Sequence, residues 1–273
     1  CFNTSMTGYQ EMLTDPSYAS QIITLTYPHI GNTGMNTHDE ESRKIWVSGF
    51  VVRNPSPRVS NWRSERSLED DLISNGVVGI RGVDTRALTL HLRERGAMRV
   101  GIFSDSELSR EEMVVKVRSA PEMVGAFLAE EVTVDEIKII PAVGVRKFKV
   151  AAIDLGIKSA TPRNMAARRI EVHLMPATIT FEEIKAGGFD GLFLSNGPGD
   201  PATMGSIVAQ QLCLRHPSKV QSVVLMCPWA RCDRYAKSVF KHMVDCKAHL
   251  DNKQFLEWIQ LLIFTKPFWD NDE

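Results

Sequence analysis

The chain has 273 residues, of which 43% are hydrophobic and 24% are charged, and its formal net charge at pH 7 is −1. This composition is typical of a globular protein, and the length suits one large domain or two ordinary ones. The near-neutral charge gives no indication of a nucleic-acid or membrane-surface partner, and no apolar run approaches the roughly 18 residues that a membrane span needs.

Residues 1–105 carry alternating strand and helix signals, which predict a mixed α/β domain. The segment Thr14-Asp15-Pro16-Ser17-Tyr18 predicts a turn or a helix start, because Asp and Ser favour both. The predicted strands cover residues 21–27, 45–53, 76–80 and 98–103. The predicted helices cover residues 68–74 and 83–96. Asp84 or Thr85 caps the second of these helices, and Gly96 ends it.

Residues 106–146 have a different character and are predicted to connect two domains. Two segments, 111–119 and 122–129, look helical, and we interpret the glutamate pairs at 111–112 and 130–131 as solvated helix faces. Residues 132–146 are predicted to be extended, because Pro141 and Gly144 interrupt any regular helix.

Residues 147–205 predict a second domain. The strands are expected at 148–155, 170–175 and 189–194, and the helices at 158–169 and 180–186. This β-α-β-α-β alternation predicts the start of a doubly wound parallel sheet.

The third of these strands ends in the turn Ser195-Asn196-Gly197-Pro198-Gly199-Asp200-Pro201. Glycine lets a backbone N–H approach a ligand closely, and ligands bind beyond the carboxyl ends of strands in open α/β sheets. The turn is therefore a candidate binding site, although an ordinary strand-to-helix turn would use the same residues. A phosphate-binding loop would need a G-x-x-x-x-G-K-[ST] or G-x-G-x-x-G run, which this sequence lacks.

Four segments resemble the small, glutamine-hydrolysing subunit of carbamoyl-phosphate synthetase. They are residues 2–32 (FNTSMTGYQEMLTDPSYASQIITLTYPHIGN), 76–98 (GVVGIRGVDTRALTLHLRERGAM), 150–158 (VAAIDLGIK) and 193–201 (FLSNGPGDP). The resemblance implies a family-specific first domain, followed by the start of a class I glutaminase domain.

The resemblance also implies a reaction. A Cys–His–Glu triad hydrolyses L-glutamine through a thioester, and the ammonia passes to a large subunit that makes carbamoyl phosphate for arginine and pyrimidine biosynthesis. By resemblance, Ser17, Gly197 and Gly199 bind the glutamine, and the Gly197 N–H faces the developing oxyanion. The small subunit is expected to hold no cofactor, because ATP and a metal ion belong to the large one.

Residues 206–273 depart from the family pattern. The nucleophile motif G-[IL]-C-x-G-[HN]-Q and a later His-Pro-Glu segment are absent from this sequence, and none of its glycines follows Gly205. Cys227 follows an apolar run, but Pro228-Trp229 stands where the strained turn of a nucleophile needs small residues. We therefore interpret Cys227 as an ordinary thiol and keep it only as a candidate nucleophile. A frameshift would explain this divergent tail.

Two functions remain open at this stage. The chain is expected either to supply ammonia from glutamine or only to dock on the large subunit without catalysis. It starts at Cys1 without an initiator methionine, so we expect missing N-terminal residues. The five cysteines show no C-x-x-C spacing, so we expect no metal site and a reducing, cytoplasmic location.

Overall fold

A computed structural model of the chain describes residues 1–104 and 107–200. The strands of these residues are β1 (Phe2–Asn3), β2 (Ile22–Leu25), β3 (His29–Ile30), β4 (Gly49–Val51), β5 (Asn54–Pro55), β6 (Val78–Ile80), β7 (Lys138–Ile140), β8 (Phe148–Ile153), β9 (Ile170–Met175) and β10 (Gly191–Leu194). Their α-helices are α1 (Tyr9–Leu13), α2 (Leu68–Ser74), α3 (Thr85–Arg95), α4 (Arg110–Ser119), α5 (Ala129–Val132), α6 (Ala160–Ala167) and α7 (Phe181–Ala186). A 3₁₀ helix covers Pro16–Tyr18.

The first sheet has the strand order β1-β2-β4-β6, and all of its neighbouring strands are parallel. Its core contains Ile23 of β2 and Phe50 of β4, together with Leu13 of α1 and Leu68 of α2. Burial of each such side chain contributes about 1.5–3 kcal/mol. Because Leu13 holds the end of α1 in this core, the core also anchors the 3₁₀ helix that follows α1.

The second sheet has the order β10-β8-β9-β7. Its strands β10, β8 and β9 are parallel, and β7 pairs antiparallel with β9. Ala152, Val172 and Leu174 form its core with Val134 and Ile157. Because β8 and β10 are parallel neighbours, the loops that follow them leave the same edge of the sheet.

The α/β class and the parallel β-α-β-α-β order are confirmed. Helix α2 and strand β9 have the predicted bounds, and α3 lies within its predicted range. The Asp84 side chain caps α3 by accepting a hydrogen bond from the Ala87 N–H at 3.0 Å. Helix α1, for which the sequence analysis made no prediction, is a further element of the first domain.

Two predicted elements are wrong. Residues 98–103 form no strand, and Gly101 packs closely on Phe103 and on Val117 of α4. The segment therefore packs through its side chains without joining the ladder of a sheet. Residues 122–128 form no helix, and α5 begins only at Ala129, because Gly125 has a φ of +77° and the backbone beside it pairs with another loop.

The predicted connector, residues 106–146, contributes directly to the second sheet. Strand β7 lies within it and forms the antiparallel edge, so the sheet is mixed where a parallel one was predicted. The sequence predictions for residues 206–273 lie outside the described residues.

Candidate functional site

The loops after β8 and β10 are joined by buried hydrogen bonds. The Leu155 N–H donates to the Ser195 Oγ at 2.9 Å, and this hydroxyl donates to the Asn196 carbonyl at 2.7 Å. Ser195 is only 2% exposed. A single side chain therefore connects the two loops at the carboxyl edge of the sheet.

Gly197 occupies a position that no larger residue fits. A Cβ added to it would lie 1.7 Å from the Leu155 carbonyl oxygen. Opposite it, Gly156 has a φ of +117°, and an added Cβ there would lie 2.9 Å from the Pro198 Cδ. The glycine at 197 is therefore required by the close approach of two backbones, in addition to any approach of a ligand.

Gly199 meets the connecting segment. Its φ is +107°, and an added Cβ would lie 2.4 Å from the Ala126 carbonyl oxygen. Gly199 forms an antiparallel bridge with Phe127, and the Gly125 N–H donates to the Asp200 carboxylate at 2.8 Å. This glycine is therefore held by the chain between the two sheets.

Ser17 reaches the same loops from the first domain. The Asn196 Nδ2 donates to the Ser17 Oγ at 2.9 Å, although these residues are 179 positions apart. The Ser17 N–H in turn donates to the Asp15 carboxylate at 2.9 Å, which caps the 3₁₀ helix. The structure thus brings Ser17 beside Asn196 and Gly197. We call residues 15–17, 154–157 and 195–197 the three-loop junction.

An ion pair that the sequence analysis missed crosses this junction. The Lys158 Nζ lies 2.7 Å from the Asp15 Oδ2, and the Asp15 side chain is only 4% exposed. Burial works to lower the pKa of Lys158, but the hydrogen bond and charge of Asp15, with a contribution from Glu41, raise it overall. The two lie 143 positions apart in the chain, so no local sequence signal could have revealed the pair.

Asp154 fixes the loop after β8. Its Oδ1 accepts hydrogen bonds from the Gly156 and Ile157 N–H groups at 2.9 and 2.8 Å. Its Oδ2 accepts one from the Val134 N–H at 2.9 Å. A buried carboxylate is stable only when its oxygens are paired in this way. This residue was also missed, because its partners include the distant connecting segment.

The junction offers hydrogen-bonding groups at an accessible edge. Asn196 is exposed and Ser17 is half-buried. The Gly197 N–H has no acceptor within hydrogen-bond distance among residues 1–104 and 107–200. These groups suit a small polar ligand that is recognised by directional hydrogen bonds.

Two further concave features occur among the described residues. A polar pocket of about 230 Å³ includes Glu40, Arg66 and Asp71, and a more apolar groove of about 370 Å³ includes Phe103, Met113 and Val117. Within the described ranges, no group of three or more His, Cys, Asp or Glu side chains could hold a metal ion. No helix there is long and apolar enough to cross a membrane.

The candidate nucleophile Cys227 lies outside the described residues. The roles of Ser17, Gly197 and Gly199 in glutamine binding stay predictions. What the geometry adds is that Ser17 contacts Asn196, the chain neighbour of Gly197, whereas Gly199 pairs with Phe127 of the connecting segment.

Comparison with known families assigns both halves of the chain. Residues 151–218 match the family model for class I glutamine amidotransferases, which defines the class of the second domain. This match extends into residues 206–218, which the sequence analysis placed in the divergent tail. Residues 1–102 match the model for the carbamoyl-phosphate synthase small chain, CPSase domain.

Individual relatives agree with this assignment. The carbamoyl phosphate synthase small chain of Streptomyces avermitilis is 61% identical over 209 residues, which cover 76% of this chain and 55% of the relative. The small chain of Streptomyces coelicolor is 61% identical over 203 residues, covering 74% and 53%. That of Bifidobacterium longum is 51% identical over 218 residues, covering 75% and 54%.

The chain therefore belongs to the carbamoyl phosphate synthase small-chain family. It spans about half the length of the curated relatives that it matches.

Proposed function

We propose that this chain acts as the glutamine-hydrolysing small chain of a carbamoyl-phosphate synthase. In this role it would release ammonia from L-glutamine for a large chain, which would use it to make carbamoyl phosphate for arginine and pyrimidine biosynthesis. The observation that carries the proposal is the contact of Ser17 with Asn196 beside Gly197, which brings two glutamine-binding residues implied by the resemblance to one edge.

The chemistry proposed for each residue follows from its position. The Ser17 hydroxyl and the Asn196 amide would form hydrogen bonds with polar groups of glutamine at the accessible edge of the three-loop junction. The Gly197 N–H would point at the side-chain carbonyl oxygen, where negative charge develops when a nucleophile attacks. A preorganised donor at such an oxygen is commonly worth about 3–4 kcal/mol of barrier. ATP and a metal ion would be bound by the large chain, and a cytoplasmic location stays a prediction.

The test is carbamoyl phosphate synthesis by this chain mixed with the large chain of the Streptomyces avermitilis enzyme. Glutamine-dependent synthesis is expected, and Ser17→Ala should raise the KM for glutamine about tenfold or more, because a hydrogen bond to a charged ligand is lost. Synthesis from added ammonia should stay unchanged. Ser5→Ala, at an exposed serine of the same domain, is the control. An unchanged KM in Ser17→Ala would contradict the proposal.

A second candidate function is favoured by a specific observation. These 273 residues contain no G-[IL]-C-x-G-[HN]-Q or His-Pro-Glu segment, so the chain would only dock on the large chain, without catalysis. The same mixture separates the two functions. Co-elution of the two chains in gel filtration, with ammonia-dependent but no glutamine-dependent synthesis, supports docking alone. Glutamine hydrolysis that Cys227→Ser abolishes would identify Cys227 as the nucleophile and exclude this second function.

A further inference from the structure

The hydroxyl of Ser195 makes two hydrogen bonds, and one of them fixes the peptide group between Asn196 and Gly197. It accepts from the Leu155 N–H at 2.9 Å and donates to the Asn196 carbonyl at 2.7 Å. The Ser195 N–H is itself tied to the Ile153 carbonyl at 3.3 Å. Ser195 is only 2% exposed, and its bond from the Leu155 N–H is buried, so the position of the hydroxyl is well fixed.

The Asn196 carbonyl and the Gly197 N–H belong to the same planar peptide unit. In a trans peptide these two groups point in opposite directions, and no cis peptide bond occurs among the described residues. A hydrogen bond that fixes the carbonyl therefore also fixes the direction of the N–H. The Gly197 N–H, which has no acceptor among residues 1–104 and 107–200, is thus aimed by the serine hydroxyl.

The same bond affects the strength of the donor. A hydroxyl that donates to an amide carbonyl polarises the amide, and hydrogen bonds linked in this way strengthen one another by roughly 10–30%. The close packing of Gly197 on the Leu155 carbonyl limits any compensating movement of the loop.

We propose that Ser195 is a positioning residue, which orients the peptide between Asn196 and Gly197 so that the Gly197 N–H faces the bound glutamine. Ser195 acts through that peptide and does not touch the ligand. This inference rests on the proposed function, since it assumes that glutamine is the ligand at the three-loop junction.

The chain contains a matched control for this proposal. The tripeptide Ser-Asn-Gly occurs twice, at residues 74–76 and 195–197, and these contain the two Asn-Gly pairs of the sequence. The Ser74 hydroxyl bonds the Asp71 carbonyl at 3.0 Å and not that of the next residue. Ser74→Ala therefore removes a hydroxyl in the same local sequence without affecting the junction.

Selective labelling makes both sites visible in the full chain. Protein that carries ¹³C-carbonyl asparagine and ¹⁵N glycine gives, in a carbonyl-filtered NMR spectrum, one signal for Gly76 and one for Gly197. We expect L-glutamine to shift the Gly197 signal and to leave the Gly76 signal unchanged. The concentration dependence of that shift gives the Kd for glutamine.

Ser195→Ala should move the Gly197 signal in the free protein and raise the Kd for glutamine about tenfold, because the donor is no longer aimed. Ser195→Thr, which keeps the hydroxyl, should restore most of the affinity. Ser74→Ala should move only the Gly76 signal. If Ser195→Ala fails to fold, Ser195→Cys, with a weaker donor of similar shape, should give an intermediate Kd.

The outcomes separate the inference from the proposed function. If glutamine shifts neither signal of the unsubstituted chain, the proposed function fails and the inference fails with it. If glutamine shifts the Gly197 signal equally, and with equal Kd, in Ser195→Ala (or Ser195→Cys) and in the unsubstituted chain, only the inference is overturned. If Ser195→Ala weakens binding and Ser195→Thr does not restore it, packing accounts for the effect and the positioning role is also rejected.

Discussion

The three-loop junction and the outer helices α3 and α4 are stabilised in opposite ways. At the junction Asp15, Asp154 and Ser195 are each at most 4% exposed, and their hydrogen bonds join segments that are distant in the sequence. Helix α3 buries only Thr85 and Thr89, and α4 buries no residue. The junction therefore depends on tertiary contacts, whereas the helices depend on their own caps and charges.

This difference predicts which substitutions lower the stability of the whole fold and which act only locally. At the junction one added atom meets the closely packed backbone of a second loop, so the stability of the whole fold should fall. On α3 and α4 the loss of a cap should open a few residues locally and leave the core intact.

Gly197→Ala should have the largest effect. The new Cβ would lie 1.7 Å from the Leu155 carbonyl, so one of two hydrogen-bonded loops must move. We expect a loss of at least about 3 kcal/mol in the free energy of unfolding, measured by urea denaturation. Gly191→Ala is the control, since its added Cβ meets only the Val150 Cγ2 at 3.7 Å. Equal stability of the two variants would show that the junction is not rigid.

Lys158→Met should have the next largest effect. It leaves the Asp15 carboxylate buried without its cation, although Asp15 keeps the Ser17 N–H. We expect a loss of about 1–3 kcal/mol, less than for a fully buried pair because the Lys158 side chain is 44% exposed. Lys147→Met, at an exposed lysine, should be neutral in the same urea titration, and Asp15→Asn combined with Lys158→Met should recover part of the loss.

The same pair predicts a dependence on pH. The folded protein holds the pKa of Lys158 above its ordinary 10.5, despite the opposing effect of burial. A raised pKa of a cation stabilises the fold below the unfolded value, and this contribution disappears as the pH rises through the folded value. The difference in Tm between the unsubstituted chain and Lys158→Met should therefore stay constant from about pH 7 to 10 and shrink above 10.5. A constant difference at higher pH would exclude a charge effect.

Removal of helix caps should have the smallest effect and shows the contrast most directly. Ser67 caps α2, which buries Leu68 in the first core, and Ser109 caps α4, which buries nothing. Ser67→Ala should lower global stability by about 0.5–2 kcal/mol. Ser109→Ala should change it by less than about 0.5 kcal/mol but speed hydrogen exchange within α4. An equal global loss in both variants would show that α4 is coupled to the core.

The sequence predicted the elements whose signals are local. Asp84 and Gly96 bounded α3, and the alternation after residue 147 led to the parallel strands β8, β9 and β10. The strand predicted at 98–103 is absent, because the apolar residues there pack through their side chains and do not pair with another strand. The helix predicted at 122–129 is absent before Ala129, because the pairing of Phe127 with Gly199 overrides a weak helical pattern.

The candidate site was less accessible to such reasoning. The glycine turn after β10 was found from its residues, whereas Ser17 was named only through a family resemblance. The partners that organise the site, Lys158 for Asp15 and Ser195 for Leu155, lie 143 and 40 positions apart, so a single sequence cannot pair them.

The contacts of the connecting segment determine where the chain could be divided between its two sheets. Before the chain reaches β8, it pairs Phe127 with Gly199, gives the Val134 N–H to Asp154 and adds β7 to the sheet. A cut at Lys147 would remove the edge strand β7 from the second sheet. It would also remove the Val134 N–H, which donates to the buried Asp154 carboxylate. A fragment that keeps the second sheet intact would therefore have to begin before Phe127 and not at Lys147.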